Sequence, residues 1–285
     1  MTGSRSGSRS RSSPSADLPR PKKRFGQHFL SDTNILDRIV AAADLRPQHA
    51  VVEVGPGLGA LTDVLATRAS RVVAVEIDPG LVAVLRDRFA GRPNVAIIEA
   101  DVIDLAPSQV LARGRAAAPY VVVANLPYNV AAFVLRQFLE GDVKPERLVV
   151  MVQKEVAEAI VARPGKMTLI GVATQAYGEA RIVMRVAPGA FRPPPAVESA
   201  VVRIDVAARP RVTAPLDVFF RVVRAGFGNP RKQLRNALSY GLHVKQEAID
   251  EALRAAGVDV TLRAQALSLE QWDALASAWA ERTRR

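Results

Sequence analysis

The sequence predicts an α/β protein, a mostly parallel and doubly wound sheet followed by a small helical domain. Three observations carry this. Apolar runs of strand length alternate with amphipathic stretches of helix length between about residues 50 and 162. A glycine-rich turn, Gly55-Pro56-Gly57-Leu58-Gly59, directly follows one of the apolar runs. Beyond Arg209-Pro210-Arg211 the strand-like runs stop and helical spacing takes over.

The elements follow in order. Residues 1–21, rich in Ser, Arg, Gly and Pro, are expected to be disordered, with order beginning near Lys22-Lys23-Arg24-Phe25-Gly26. Ser31 or Asp32 caps a helix to about Ala43, on which Ile35, Leu36, Ile39 and Val40 share one face. Ala50–Val54 is the first strand of the sheet and residues 58–69 the helix after it. Residues 71–77 form the second strand, ending at Glu76, and residues 81–89 a helix. Val95–Glu99 is the third strand, with Asp101 just beyond. A connection containing Pro and Ala leads to the fourth strand at 120–124. A helix at 130–139, a strand at 148–153 and a helix at 154–162 complete the alternation. Right-handed helical crossovers make these strands parallel. Residues 181–186 and Ser199–Val206 have no long helix between them, so they are expected to end the sheet as a hairpin with an antiparallel member. From Pro215, one helical face carries Val218, Phe219, Val222 and Val223, and another carries Leu234, Ala237 and Leu238. Helical runs near 248–256 and 269–280 finish the chain. The expected organisation is a basic tail at 1–21, a catalytic domain at 22–207 and a helical RNA-binding domain at 208–285.

Composition narrows the function. With no cysteine, disulfides and thiolate metal sites are excluded, and His28, His49 and His243 lack partners at ligand spacing, so no metal is expected. No apolar run approaches the roughly 20 residues of a membrane span. Arg5, Arg9 and Arg11 alternate with Ser and Gly and no apolar stretch follows, so a secretory leader is not expected and the protein is assigned to the cytoplasm. The net charge of +11 is unevenly spread. Residues 1–24 carry seven Lys/Arg against Asp17, residues 25–205 carry 19 of each sign, and residues 206–285 carry 13 basic against 8 acidic groups. Basic ends around a neutral middle suit a polyanionic partner held by its phosphates. A solubilising tail in an Arg-rich composition is the alternative.

Four segments carry candidate chemistry. The turn at 55–59 lets backbone approach a ligand at a helix N-terminus, and it also fits a purely structural turn. Its third glycine comes one position earlier than in G-x-G-x-x-G, which argues against a dinucleotide. Glu76 ends the second strand, where it can accept hydrogen bonds from both ribose hydroxyls of an adenosine, and Asp101 is placed to accept from the adenine amino group. Each acid alone reads more readily as a solvated loop residue or a helix cap; their position at successive strand ends favours a ligand. Asn125-Leu126-Pro127-Tyr128 follows the fourth strand. The Asn125 side-chain oxygen and the Leu126 carbonyl can accept the two N–H bonds of an adenine amine. Pro127 stiffens the turn, and the Tyr128 ring can stack on the base. An ordinary strand-to-helix turn is the alternative.

Phe191 in Phe191-Arg192-Pro193-Pro194-Pro195 can sandwich a base opposite Tyr128 from a rigid proline arm, or serve as a core aromatic. Phe25-Gly26-Gln27-His28-Phe29-Leu30 suits a lid over a pocket. Arg221, Arg224, Arg231, Lys232 and Arg235 cluster around residues 226–230 and can grip phosphates or form a solvated face.

G-Q-H-F-L at 26–30, E-V-G-P-G-L-G at 53–59, V-E-I-D at 75–78, A-N-L-P-Y-N at 124–129, V-Q-K-E-V-A at 152–157 and F-R-P-P-P-A-V-E-S-A-V-V at 191–202 resemble the rRNA adenine N6-dimethyltransferases. The match is best to the small-subunit branch and spans about residues 22–285. The resemblance implies a class I S-adenosylmethionine-dependent methyltransferase, Rossmann-like. It implies conversion of two adjacent adenosines, in a hairpin loop near the 3′ end of 16S rRNA in the immature 30S subunit, to N6,N6-dimethyladenosine. It further implies that His28, Leu30 and the Gly55/Gly57 turn contact the cofactor. Glu76 would bind its ribose, Asp101 its adenine, and Asn125 both cofactor and target, with Tyr128 and Phe191 holding the target base. His28 stands where the family commonly has Asn, and Lys166-Met167-Thr168-Leu169-Ile170-Gly171 lacks a frequent Tyr-Gly pair, which concerns the local loop. The 23S rRNA branch that confers macrolide resistance is the nearest rival. A DNA methyltransferase would carry Asp-Pro-Pro-Tyr at the catalytic turn. A non-catalytic binding factor is the third reading. A monomer is expected.

Overall fold

Runs of β-branched and small apolar residues dictate the sheet, which a computed structural model describes over residues 28–30, 32–126 and 130–284. The expectations for the tail at 1–21, for Lys22 to Gln27, for Ser31 and for Pro127 and Tyr128 lie outside the described residues. Phe29–Leu30 (β1) and Thr33–Ala43 (α1) come first. Asp32 starts α1, its Oδ1 accepting from the amides of Asn34 at 2.9 Å and Ile35 at 3.3 Å. The helix buries Leu36, Ile39, Val40 and Ala43.

The order then runs Ala50–Val54 (β2), Ala60–Leu65 (α2), Arg71–Glu76 (β3), Pro79–Arg88 (α3), Val95–Glu99 (β4), Pro107–Arg113 (α4), Tyr120–Asn125 (β5), Ala131–Leu139 (α5), Arg147–Gln153 (β6), Lys154–Ile160 (α6) and Leu169–Gln175 (α7). Gly178–Val186 (β7), Phe191–Arg192 (β8) and Ser199–Val206 (β9) follow. Seven strands form one sheet in the order β4-β3-β2-β5-β6-β9-β7. Strands β2 to β6 are mutually parallel, β9 is antiparallel to β6, and β7 is antiparallel to β9. The anticipated doubly wound sheet with an antiparallel closing hairpin is therefore present.

Local chemistry explains where the elements differ from expectation. Helix α2 covers six residues, not the twelve of 58–69. Gly59, in a left-handed conformation (φ 84°), delays its start. At its end the Thr67 hydroxyl donates to the Val64 carbonyl at 2.7 Å, and the Asn94 amide donates to the Ala66 carbonyl at 2.9 Å, taking acceptors a longer helix would use. Helices α4 and α7 were not anticipated. The Thr168 hydroxyl accepts from Gly171 N at 3.0 Å and so caps α7 within the segment expected as an atypical loop.

The sheet is buried on both faces, as parallel strands require. Val51, Val121, Val149 and Met151 face α1 and α2. Val52, Val122, Val150 and Val202 face the side covered by α5, α6 and α7. This second apolar cluster continues without a break into four helices, Leu216–Phe227 (α8), Leu234–Leu242 (α9), Gln246–Ala255 (α10) and Leu269–Arg284 (α11). Tyr177, just after α7, stacks on Phe220 of α8 with ring centroids 5.8 Å apart. Among the described residues, no helix is long and apolar enough to cross a membrane.

At the end of the sheet opposite the strand carboxyl termini, Arg147 is buried against charge and carbonyl partners. Its Nε donates to Asp205 Oδ1 at 2.7 Å and one terminal nitrogen donates to the Ala43 carbonyl at 2.6 Å. Arg203 also donates to Asp205 and, at 3.0 Å, to the Ala42 carbonyl. The two guanidiniums thus hold the last turn of α1 to β6 and β9. Arg147→Ala is expected to lower stability by about 2 kcal/mol through this lost network, measured by urea unfolding, with kcat little changed.

Candidate active site

Strand register builds the site. Val54 pairs with Val75 of β3 and with Ala124 of β5. One residue further on, Gly55, Glu76 and Asn125 therefore emerge side by side at the strand carboxyl ends, where open α/β sheets bind ligands. Gly55 donates its amide to the Val75 carbonyl at 3.0 Å. It has φ +68°, and a Cβ there would lie 3.7 Å from the Asn125 carbonyl oxygen. Gly57 is more tightly constrained: at φ +60° a Cβ would come within 3.0 Å of the Phe29 ring. The missing side chains at Gly57 and Gly59 let the turn pack closely against Phe29 and Phe89.

Glu76 is 5% exposed. One carboxylate oxygen accepts from the amides of Ile77 and Asp78, each at 3.0 Å, and the other accepts from Gly57 at 3.3 Å. Burial pushes its pKa up, and these three amides oppose that shift. The carboxylate thus holds the glycine turn while remaining at the strand end expected to meet a ribose. Ile77 beside it is 44% exposed, a large aliphatic surface at the lip of the site. Asp101 is half-buried and caps a short 3-10 turn, Val102–Asp104, through Ile103 N at 3.1 Å. Among the described residues its second carboxylate oxygen has no hydrogen bond, so the cap does not use up the acid.

Asn125 donates from Nδ2 to the His28 carbonyl at 3.1 Å. That orients the side-chain oxygen as the remaining acceptor. Leu126, 1% exposed, is fixed by donation from its amide to the Met151 carbonyl at 3.0 Å. His28 Nδ1 in turn donates to the Pro193 carbonyl at 2.8 Å. Strands β1 and β8 pair antiparallel, Leu30 opposite Phe191 and Phe29 opposite Arg192. The two segments form a strap that touches both the glycine turn and Asn125.

Phe191 needs a correction. It is 3% exposed and lies in the apolar cluster with Leu30, Met184 and Val186. It anchors the strap as a core aromatic and does not project from a free arm; the short β8 pairing draws it inward. Arg235 needs one too. It is half-buried and paired with Asp250 at 2.9 Å, with Gln246 Oε1 at 3.3 Å, so its charge is met within the helices. Arg221, Arg224, Arg231 and Lys232 are exposed, and among the described residues none has a carboxylate within ion-pair distance.

Glu53 was not anticipated. It sits on β2 at 1% exposure and accepts from the Thr62 hydroxyl of α2 at 2.6 Å. Burial, opposed by the Thr62 bond and assisted by the negative charges of Glu76 and Asp63, pushes its carboxyl up to about 8. A lone acid inside the apolar strand Ala50–Val54 was the signal available in the sequence.

The sequence model of the family described as ribosomal RNA adenine dimethylase matches residues 19–281. The chain is 47% identical to "Ribosomal RNA small subunit methyltransferase A" of Dehalococcoides mccartyi (strain CBDB1), covering 89% of this chain and 87% of that one. It is 40% identical to the protein of the same name from Alkaliphilus metalliredigens (strain QYMF), covering 89% and 90%. Among solved structures it is similar to the 23S rRNA methyltransferase ErmE, with TM-score 0.69 and 29% identity over 88% of this chain and 98% of that one. A dimethyladenosine transferase from Plasmodium falciparum shares the fold, with TM-score 0.75 and 21% identity over 90% and 98%.

A carboxyl whose folded-state pKa is raised stabilises the fold fully below its unfolded pKa and loses that contribution as pH rises through the folded value. For Glu53 the window runs from about 4.5 to about 8, at about 1.4 kcal/mol per pH unit. Glu53→Gln removes the ionisation while keeping the Thr62 acceptor. Urea unfolding should therefore show the wild type losing stability relative to Glu53→Gln between pH 5 and pH 8. An equal pH dependence of the two proteins would contradict this reading.

Proposed function

The chain belongs to the ribosomal RNA adenine dimethylase family, and we propose that it methylates N6 of two adjacent adenosines in a 3′-terminal hairpin loop of 16S rRNA, in the immature 30S subunit. It is an S-adenosylmethionine-dependent methyltransferase acting on ribosomal RNA, and the product is N6,N6-dimethyladenosine. The observation that carries the reading is the juxtaposition of Gly55, Glu76 and Asn125 at adjoining strand ends. Relatives named for the small subunit are 40–47% identical, against 29% for the 23S enzyme, which favours the small-subunit substrate.

The residues present fit the cofactor. Gly55 stands at the strand ends, where a Cβ would project to 3.7 Å from the Asn125 carbonyl oxygen, so its bare backbone leaves room beside Asn125. Glu76 takes the ribose hydroxyls, Asp101 accepts from the adenine amine with its second oxygen, and Ile77 covers the adenine face. Leu30 and His28 close the pocket from the strap. Bound there, S-adenosylmethionine supplies a methyl group already activated by its positive sulfur.

The chain's own residues then prepare the nucleophile. An adenine amine is weakly nucleophilic because its lone pair is delocalised into the ring. The Asn125 side-chain oxygen and the Leu126 carbonyl accept its two N–H bonds, draw density onto nitrogen and fix its direction of attack. Transfer would exchange the S–CH3 bond for an N–CH3 bond, and the amine nitrogen would give up its proton to solvent without a dedicated base. After the first transfer one N–H remains, so one of the two acceptors suffices for the second. Tyr128 holds the base, and Phe191 backs the pocket through the strap.

We assign residues 22–207 to catalysis and 208–285 to RNA binding, with Arg221, Arg224, Arg231 and Lys232 meeting phosphates. The protein acts as a cytoplasmic monomer. Asn125→Ala should reduce methyl transfer to unmodified 30S subunits by at least about 100-fold, while changing their Kd by less than about twofold. A loss of binding equal to the loss of turnover would contradict the role given to Asn125. Glu76→Gln should raise the cofactor Kd by roughly tenfold or more, read by calorimetry.

A further inference from the structure

Tyr240 is 69% exposed on α9, the most exposed of the large apolar and aromatic side chains among the described residues. The fold treats its other described tyrosines differently. Tyr120 is fully buried and donates its hydroxyl to the Val143 carbonyl at 2.7 Å, and Tyr177 is 4% exposed and stacked on Phe220. A lone exposed aromatic is ordinary on a protein surface. Its surroundings distinguish this one. Lys232 Nζ lies 5.9 Å from the centre of the ring, and the exposed His243 ring, at the C-terminal cap of α9, lies 6.5 Å from it.

The backbone fixes this grouping. Lys232 donates its amide to the Asn229 carbonyl at 3.0 Å, which shapes the turn carrying Arg231 and Lys232. Gly241, next to Tyr240, lies so close to α8 that a Cβ would meet the Ala225 backbone at 2.8 Å. Helix α9 thereby brings Tyr240 beside the helix that bears Arg221 and Arg224. Arg235, which shares α9, is held by Asp250 and adds no free cation. A solvent-facing ring therefore has Lys232 beside it, in a segment whose exposed Arg221, Arg224, Arg231 and Lys232 have no carboxylate partner among the described residues.

From this arrangement we infer that Tyr240 is a stacking platform for an unpaired base of the ribosomal RNA, with Lys232 and Arg231 holding the flanking phosphates. It deepens the reading of this chain as an rRNA methyltransferase and rests on it. Aromatic stacking binds any base through its π-face, and a neighbouring cation reinforces it. RNA is the occupant because the net charge of residues 206–285 is positive, with 13 basic against 8 acidic groups. Stacking releases no counterions, so the contribution of the ring is separable from that of the lysine by salt dependence.

The test measures the Kd of the full chain for unmodified 30S subunits and for naked 16S rRNA across a salt series, with methyl transfer read in parallel. Tyr240→Ala should weaken binding to both by roughly tenfold with the salt slope unchanged, and Tyr240→Phe should match the wild type. Tyr240→Leu, which keeps apolar bulk without a π-face, should behave like Tyr240→Ala. Lys232→Met should reduce the slope by about one. Wild-type affinity in Tyr240→Ala, or equal loss in Tyr240→Phe, would overturn the platform. Loss on 30S subunits but not on naked rRNA would assign the ring to a ribosomal protein and overturn it too. These outcomes are read on RNA that the wild type binds and methylates; failure of the wild type to do either would instead overturn the functional reading.

Discussion

The parallel register of three strands is the constraint on which the site depends. Because β2 pairs in step with both β3 and β5, the residues just past Val54, Val75 and Ala124 meet at one edge of the sheet. A one-residue slip would turn every side chain of the strand to the opposite face and separate Glu76 from the glycine turn. Such a slip would also carry the buried Glu53 away from the Thr62 hydroxyl to the opposite apolar face, leaving its carboxyl without that hydrogen bond. Fold stability and site geometry are thus two consequences of the same pairing.

Around that edge, polar groups hold one another in place. Glu76 grips the Gly57 amide, Asn125 grips the His28 carbonyl, and His28 grips Pro193. The strap made by β1 and β8 carries no large core of its own beyond Leu30 and Phe191, yet it reaches the turn, Asn125 and the proline segment. Glu53 lies below this layer, tied to α2 through Thr62. Burial and the nearby Glu76 charge favour its protonated form, which limits negative charge behind the Glu76 carboxylate.

Much of this was legible in the sequence because periodicity reports burial. All five parallel strands and the antiparallel closing pair were visible as valine-rich runs, and Asp32 announced the first helix. Short elements escaped because two residues, as in β1 and β8, have no period. Helix α7 was hidden by the absence of an expected motif, although Thr168 provides an ordinary cap. Phe191 illustrates a different limit: the proline run suggested a stiff arm, but pairing with Leu30 buries the ring. Arg235 and Asp250 are 15 positions apart on different helices, so no local spacing rule could foretell their ion pair. Glu76, Asp101 and Asn125 stand where the strand pattern put them, at or just past the carboxyl ends of three parallel strands.

The charge distribution completes the account. Residues 25–205 balance their charges, and the exposed arginines and lysine of α8 and the following turn belong to the basic segment after them. The measurement that tests the account most directly is transfer of labelled methyl groups from S-adenosylmethionine to unmodified 30S subunits, 50S subunits and naked 23S rRNA, with the modified bases mapped. The account predicts N6,N6-dimethyladenosine at two adjacent adenosines of a 3′-terminal hairpin in 16S rRNA and nowhere else. Label confined to 23S rRNA, or no transfer despite binding to 30S subunits, would contradict it.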